Sequence, residues 1–174
     1  MSTHKLITDG SAAPKNPGQM TLGYVILTED DRVVNWGSSR PGWGSSSEAE
    51  YLALIAGLSK AYDMHVLDLD IFIDSQFIYN QIIGSYKVRA AHLKKYLNQT
   101  KELISRFNNV KITWHPRTTD YARIADALTK GYKISDNGIH TTKLLEDIGR
   151  WERARHRNRG PQRKYQSRQA AARH

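Results

Sequence analysis

Four carboxylates stand where chemistry could use them. Asp9 follows the apolar pair Leu6-Ile7 and precedes Gly10, which lets the chain turn. Asp74 closes the alternating run from Val66 to Ile73. Glu50 lies in the first turn of an apolar-periodic stretch that follows Ser45-Ser46-Ser47, and Asp126 lies early in a last short helical stretch. Each acid sits at an element boundary. Carboxylates gathered in one place repel unless cations neutralise them. With no Cys/His cluster beside them, such hard oxygen donors suit Mg2+ or Mn2+ rather than zinc. Paired divalent ions on carboxylates act on phosphate esters. The competing reading makes these acids turn residues, caps and surface charges, as an isolated Asp-Gly often is. Glu48 shows the ambiguity, because residues two apart on a helix face different directions and only one of Glu48 and Glu50 can meet the other acids.

The elements that would position these acids follow from hydropathy and turn residues. Residues 3–9 read as a strand, and 10–19 (GSAAPKNPGQ) as a Gly/Pro-dense loop. Thr21–Thr28 and Arg32–Ser38 flank a polar Glu29-Asp30-Asp31 turn and must pair as an antiparallel hairpin. Ser47 to about Tyr62 has helical spacing at Leu52, Ile55, Ala56 and Leu58. The strand at Val66–Ile73 is reached through this helix and so runs parallel to the first. Asp68 and Asp70 alternate with its apolar residues and read as its solvent side. A short helix from Gln76 to Ile83, a longer one from Ala91 to Phe107, a strand at Val110–Trp114 and a helix from Ala122 to Gly131 follow. Trp114 reads as core. Thr141 to about Arg155 reads as one more helix. The order βββαβα(α)βα gives an α/β fold. Its sheet is mixed and five-stranded, a three-strand antiparallel meander plus parallel strands, flanked by helices on both faces. Asp9 and Asp74 then leave parallel strands at the same edge, the carboxyl edge where open α/β sheets place ligands.

The chain has 174 residues, enough for one domain with a tail, and a net charge of +9 that is unevenly spread. From Arg150 onward nine Arg/Lys face a single acid, Glu152, for a net +8, which leaves +1 on the first 149 residues. A nearly neutral body with a polycationic end suits an anionic polymer as partner. No run is apolar enough to span a membrane and no leader precedes the first strand, so no membrane contact is expected. The absence of cysteine excludes disulfides and thiol catalysis and fits a reducing cytoplasm.

In order, the chain carries Thr8-Asp9-Gly10-Ser11 with Asn16-Pro17-Gly18, Ala49-Glu50-Tyr51-Leu52-Ala53-Leu54, Asp74-Ser75-Gln76 with Asn80-Gln81-Ile82, Tyr86-Lys87-Val88-Arg89, His115-Pro116-Arg117 and Ala125-Asp126-Ala127-Leu128. Each motif alone is weak. In this order and rough spacing they resemble the type 1 ribonuclease H family, from about Lys5 to Tyr132. The resemblance implies the ribonuclease H-like fold and an endoribonuclease that hydrolyses the RNA strand of RNA–DNA hybrids. It implies two Mg2+ ions (with Mn2+ a possible substitute), a two-metal-ion mechanism, and 5′-phosphate and 3′-hydroxyl ends. It assigns Asp9, Glu50, Asp74 and Asp126 as metal ligands, choosing Glu50 over Glu48. It gives His115 the role of a loop histidine assisting proton transfer or product release. Gly10, Ser11, Asn16, Ser45, Ser46 and Gln76 become candidate substrate contacts. The domains follow: a catalytic domain over 1–133, a helical extension over 134–156, and a basic tail over 157–174 without fixed structure. The tail is expected to contact the nucleic-acid backbone, and the chain is expected to be a monomer.

Three departures from the family pattern matter. Ser45-Ser46-Ser47 stands where Thr-Asn-Asn is frequent, the usual Asn of the loop after His115 is not evident, and the basic insertion of several bacterial members is missing between Ile83 and Ala91. Two other readings stand beside this one. One is a carboxylate-dependent exonuclease or resolvase of the same fold. The other is a hybrid-binding module without catalysis.

Overall fold

The structure, a computed structural model, describes residues 2–171, with side chains described through Arg159. Ten elements follow one another: β1 (His4–Ala13), β2 (Gly18–Leu27), β3 (Val33–Gly44), α1 (Ser46–Asp63), β4 (Asp68–Ile73), α2 (Gln76–Ile82), α3 (Ala91–Ile104), β5 (Asn109–Trp114), α4 (Asp120–Thr129) and α5 (Thr141–Ala171). The sheet order is β3-β2-β1-β4-β5. β1 to β3 form the antiparallel meander, and β1, β4 and β5 run parallel, as the sequence predicts. No described helix is long and apolar enough to cross a membrane.

Strand alternation divides the interior into two cores. Leu6 points to one face, where it joins Tyr51, Leu54, Leu58, Leu69 and Ile71 beneath α1 and α3. Ile7 points to the other, where it joins Val25, Leu27, Ile124, Leu128, Leu144 and Ile148 beneath α4 and α5. The segment 134–156 is therefore no appendage to a finished domain: Ile134, Leu144 and Ile148 are buried in the second core. Backbone bonds from Val33 to Ile139 and from Thr141 to Asp31 fasten its start to the β2–β3 turn.

The structure corrects the sequence reading in several places. β1 does not end at Asp9; it continues to Ala13, with Asp9 paired to Gly23 and Gly10 to Leu22. Gly10 is thus not a turn. A Cβ there would lie 2.3 Å from the carbonyl carbon of Ala49 and 2.5 Å from the Glu50 nitrogen, so its bare backbone is what lets α1 press onto the strand. Gly23 does the same for the opposite layer, where a Cβ would lie 2.9 Å from Leu128 Cβ. The N-cap of α1 is Ser45, not Ser47. Its hydroxyl accepts from Glu48 N at 3.1 Å, and the Glu48 carboxylate accepts from Ser45 N at 3.2 Å. Trp114 is not core: it is 39% exposed on the edge strand, its indole N–H donating to the Asp74 carbonyl at 3.2 Å. Finally, α5 runs to Ala171, past the point where the sequence reading ends it. Arg, Gln, Ala and Lys are frequent in that stretch and favour helix by local propensity. The tail expected over 157–174 otherwise lies outside the described side chains, except for 157–159.

Candidate active site

The parallel register builds the site. Thr8 pairs with Ile73, so the next residues, Asp9 and Asp74, emerge side by side from the two central strands. Asp9 lies opposite Gly23, the residue against which α4 packs, and directly opposed residues share a sheet face. Asp9 therefore looks toward α4, which carries Asp126. From the other face, the close approach at Gly10 brings Ala49 and Glu50 of α1 to the strand. Oxygens of Asp9, Glu50 and Asp74 come within 4.8 Å of one another.

These three carboxylates are withdrawn from water. Asp9 is 7% and Glu50 4% exposed, and the Asp74 side chain is 6% exposed. Burial, then the charges of Asp74 and Asp126, push the Asp9 carboxyl up to about 8. Burial, then Asp9 and Asp74, hold Glu50 well above the usual carboxylate range. Burial raises Asp74 as well, against the opposing pull of Arg117. Asp74 Oδ1 is buried without a hydrogen-bond partner. A cluster of desolvated like charges with an orphaned oxygen is what a hard divalent cation would satisfy, and the donor set, all carboxylate oxygen, fits Mg2+ or Mn2+.

Asp126 is set differently. It lines the same cleft, of about 210 Å³, together with Asp9, Gly10, Ser11, Asp74, Arg117 and Ala122. Its side chain is 49% exposed, and Lys130, one turn on, bonds Oδ2 at 2.7 Å. Its helix begins at Asp120, capped by Thr119, which places Asp126 in the middle of α4 rather than early in it.

Glu48 is excluded from the site by the capping box, and its carboxylate turns toward His92 at 3.7 Å. Of the candidate substrate contacts, Gly10 and Ser11 line the cleft. Asn16 lies at the neighbouring rim, its Oδ1 accepting from Ser46 N at 3.0 Å. The Ser45 hydroxyl is occupied by the cap, and Gln76 is exposed at the start of α2. His115 is not among the residues that line the cleft. It is 6% exposed and rests against Phe72, with ring centroids 5.7 Å apart. Its Nδ1 meets the Thr119 hydroxyl at 2.8 Å. Thr119 Oγ1 also accepts from Ala122 N, and burial lowers the His115 pKa and favours the neutral ring. His115 thus braces the cap of α4. The residue that reaches the cleft from this loop is Arg117, 79% exposed with Nε 3.6 Å from Asp74 Oδ2. Sequence reasoning missed it, although it stands two residues on in the same His-Pro-Arg motif.

A family described as reverse transcriptase-like matches residues 8–131, from the strand that carries Asp9 to just beyond the helix that carries Asp126. The ribonuclease HI of Halobacterium salinarum is 33% identical over 117 residues, 67% of this chain. The N-terminal RNase H domain of Rv2228c from Mycobacterium tuberculosis, solved as a fusion with maltose binding protein, superposes with a TM-score of 0.70 at 29% identity, covering 75% of this chain and 92% of that one. The chain belongs to the type 1 ribonuclease H family. LC11-RNase H1, a structural neighbour solved in complex with RNA/DNA hybrid, has a TM-score of 0.67 at 30% identity and covers 73% of this chain and 94% of its own. The chain spans 58% of the length of the halobacterial relative and 28% of full-length Rv2228c.

Proposed function

We propose that this chain is an endoribonuclease that hydrolyses the RNA strand of RNA–DNA hybrids, leaving 5′-phosphate and 3′-hydroxyl ends. The observation that carries the reading is the buried trio of Asp9, Glu50 and Asp74 at the carboxyl edge of β1 and β4, in a chain of the ribonuclease H family. Asp9, Glu50, Asp74 and Asp126 would hold two Mg2+ ions, or Mn2+ in their place. Bound there, such ions supply Lewis acidity toward the scissile phosphate and a water acidic enough to attack it at neutral pH.

The chain's own groups do the rest. Asp9 projects from the central strand toward α4, with Asp74 beside it and Asp126 across the cleft, which suits it to serve both cation positions. Glu50, brought against β1 at Gly10, can also accept from a 2′-hydroxyl, the group that separates RNA from DNA at the cut strand. Arg117, exposed above Asp74, offers a guanidinium fork to a phosphate entering the cleft. Ser11 and Gly10 border the space that phosphate would fill. The basic end of the chain supplies the backbone attraction that the nearly neutral body lacks, and the chain works as a cytoplasmic monomer.

The test is an end-labelled RNA–DNA hybrid incubated with Mg2+ or Mn2+ and either the parent or Asp74→Asn. The parent is expected to cut the RNA strand, and Asp74→Asn to be slower by at least about 100-fold, since even groups behind a metal's direct ligands cost 10- to 100-fold. Cleavage that survives the substitution, or cleavage of duplex DNA in preference to the hybrid, would contradict the reading.

A further inference from the structure

A second cleft opens beside the first, on the far side of Lys130. It has a volume of about 320 Å³ and is lined by Lys130, Glu152, Arg155, His156 and Arg159. Its residues come from the C-cap of α4 and one face of α5. The single acid among them, Glu152, is turned to Arg123 at 3.6 Å, and Lys130 is paired with Asp126, which leaves Arg155 and Arg159 as the net charge of the cleft. Lys130 is shared. It lines this cleft while its Nζ bonds Asp126 of the catalytic cleft at 2.7 Å, so the two spaces adjoin at that ion pair.

Arg155 is held in place by an aromatic pair. The Arg155 guanidinium lies 4.5 Å from the centroid of the Trp151 ring, and Trp151 in turn packs edge-on against Tyr132 with centroids 5.3 Å apart. Arg159 stands one turn further along the same face, a rise of about 6 Å. That separation is of the order of the distance between successive phosphates on a strand. Guanidinium groups offer phosphate oxygens two parallel donors in fixed geometry, where an ammonium offers a point charge.

We infer that the cleft between α4 and α5 is a phosphate-backbone site, in which Arg155 and Arg159 hold the nucleic-acid strand where it leaves the catalytic cleft past Asp126 and Lys130. The inference rests on the proposed hydrolysis only for which polyanion occupies the cleft. It assigns the grip to a structured surface next to the reacting groups rather than to an unstructured tail. It also accounts for how a body with net charge +1 retains a polyanion without a basic insertion before α3. The occupant is nucleic acid rather than an acidic protein segment, because the cleft lies next to the catalytic one across the Asp126–Lys130 pair and its donors repeat along a helix.

The experiment compares the full-length parent with Arg155→Gln/Arg159→Gln and with Arg155→Lys/Arg159→Lys. Hybrid binding is followed by fluorescence anisotropy in EDTA, where no cleavage intervenes, from 50 to 200 mM salt, and steady-state cleavage is measured with Mg2+. The glutamine pair is expected to flatten the log–log salt dependence by about 1 for each arginine and to raise KM while leaving kcat unchanged. The lysine pair is expected to restore most of the slope, because it keeps the charge. An unchanged slope in the glutamine pair overturns the inference. So does a fall in kcat that the lysine pair does not rescue, since α5 would then act only through the fold. A parent that binds hybrid with the expected salt response but never cuts it sinks the proposed hydrolysis and leaves this site standing.

Discussion

The two sides of the catalytic cleft carry the same charge in opposite settings. On the sheet side, the Asp9, Glu50 and Asp74 side chains are buried and face one another; Asp9 and Glu50 are held well above the ordinary carboxylate range, and Asp74 is raised. On the α4 side, Asp126 is half exposed and neutralised by Lys130. One side is a destabilising cluster that the fold imposes; the other is an ordinary helical ion pair at no cost to the fold. The difference teaches that the proposed cation site is built into β1, β4 and α1, and that Asp126 would join it only by giving up a partner of its own.

Substitution of one acid on each side breaks this comparison most sharply. Asp9→Asn and Asp126→Asn should each lower hybrid cleavage by at least about 100-fold, because both are direct ligands in the proposed site. Their effects on metal-free stability should differ in size. Asp9→Asn removes a repelled buried charge and should raise Tm at pH 8. Asp126→Asn loses an exposed i,i+4 pair, worth about 0.3–0.5 kcal/mol, and relieves part of the repulsion on Asp9 and Asp74, so it should move Tm little. Thermal melts in EDTA read this directly, and equal shifts would erase the distinction between the two sides.

Gly10→Ala tests how the sheet side is assembled. The new Cβ meets backbone atoms of Ala49 and Glu50 that cannot rotate away, so α1 must shift. The expected loss is about 3 kcal/mol in denaturant unfolding, at the upper end of overpacking costs. Cleavage should fall further than at Gly57→Ala, where the clash is with the flexible end of Leu6.

Arg117 and His115, two residues apart, divide the loop in the same way as the acids divide the cleft. Arg117→Ala should lower kcat/KM by about 10- to 100-fold with stability within about 0.5 kcal/mol, since it is exposed and faces the cleft. His115→Ala should do the reverse, costing about 1–2 kcal/mol through the lost brace on Thr119 while the rate at saturation changes little. Rate and unfolding measurements on both variants decide which of the two serves the chemistry.

The smallest effect is in pH. Asp9 binds its proton near 8 in the fold and near 3.8 when unfolded. Between those values the native state holds a proton that the unfolded chain has released, so stability falls as pH rises. Glu50 and Asp74 act in the same sense. His115, lowered from 6.5 by burial, acts in the opposite sense, but only below 6.5. The metal-free Tm should therefore decline from pH 6.5 to 8.5, by a few degrees, and Mg2+ should remove most of the decline.

Much of this was legible in the sequence. The alternation around Leu6-Ile7 and Leu69-Asp70-Ile71, with a helical crossover between, places Asp9 and Asp74 at one edge before any coordinate is known, and the register of Thr8 with Ile73 agrees. What was not legible depended on contacts between distant segments. A glycine required for close approach and one required for a turn look alike in sequence, and only the position of Ala49 tells them apart at Gly10. Ser45 and Ser47 are equal candidates to cap α1 until Glu48 is seen to close the box on Ser45. His115 and Arg117 are both reasonable loop residues; the cap of α4 at Thr119 turns the first inward and leaves the second facing the cleft.

The central claim, that the buried trio is a divalent-cation site, is tested most directly by calorimetric titration of Mn2+ into metal-free protein at pH 7, in two buffers of different ionisation enthalpy. Because the Asp9 carboxyl sits near 8, cation binding must displace a proton. The parent should bind Mn2+ with measurable proton release, and Asp9→Asn should lose both the tight binding and the released proton. Binding of equal affinity in Asp9→Asn, or binding to the parent without any proton release, would contradict the account.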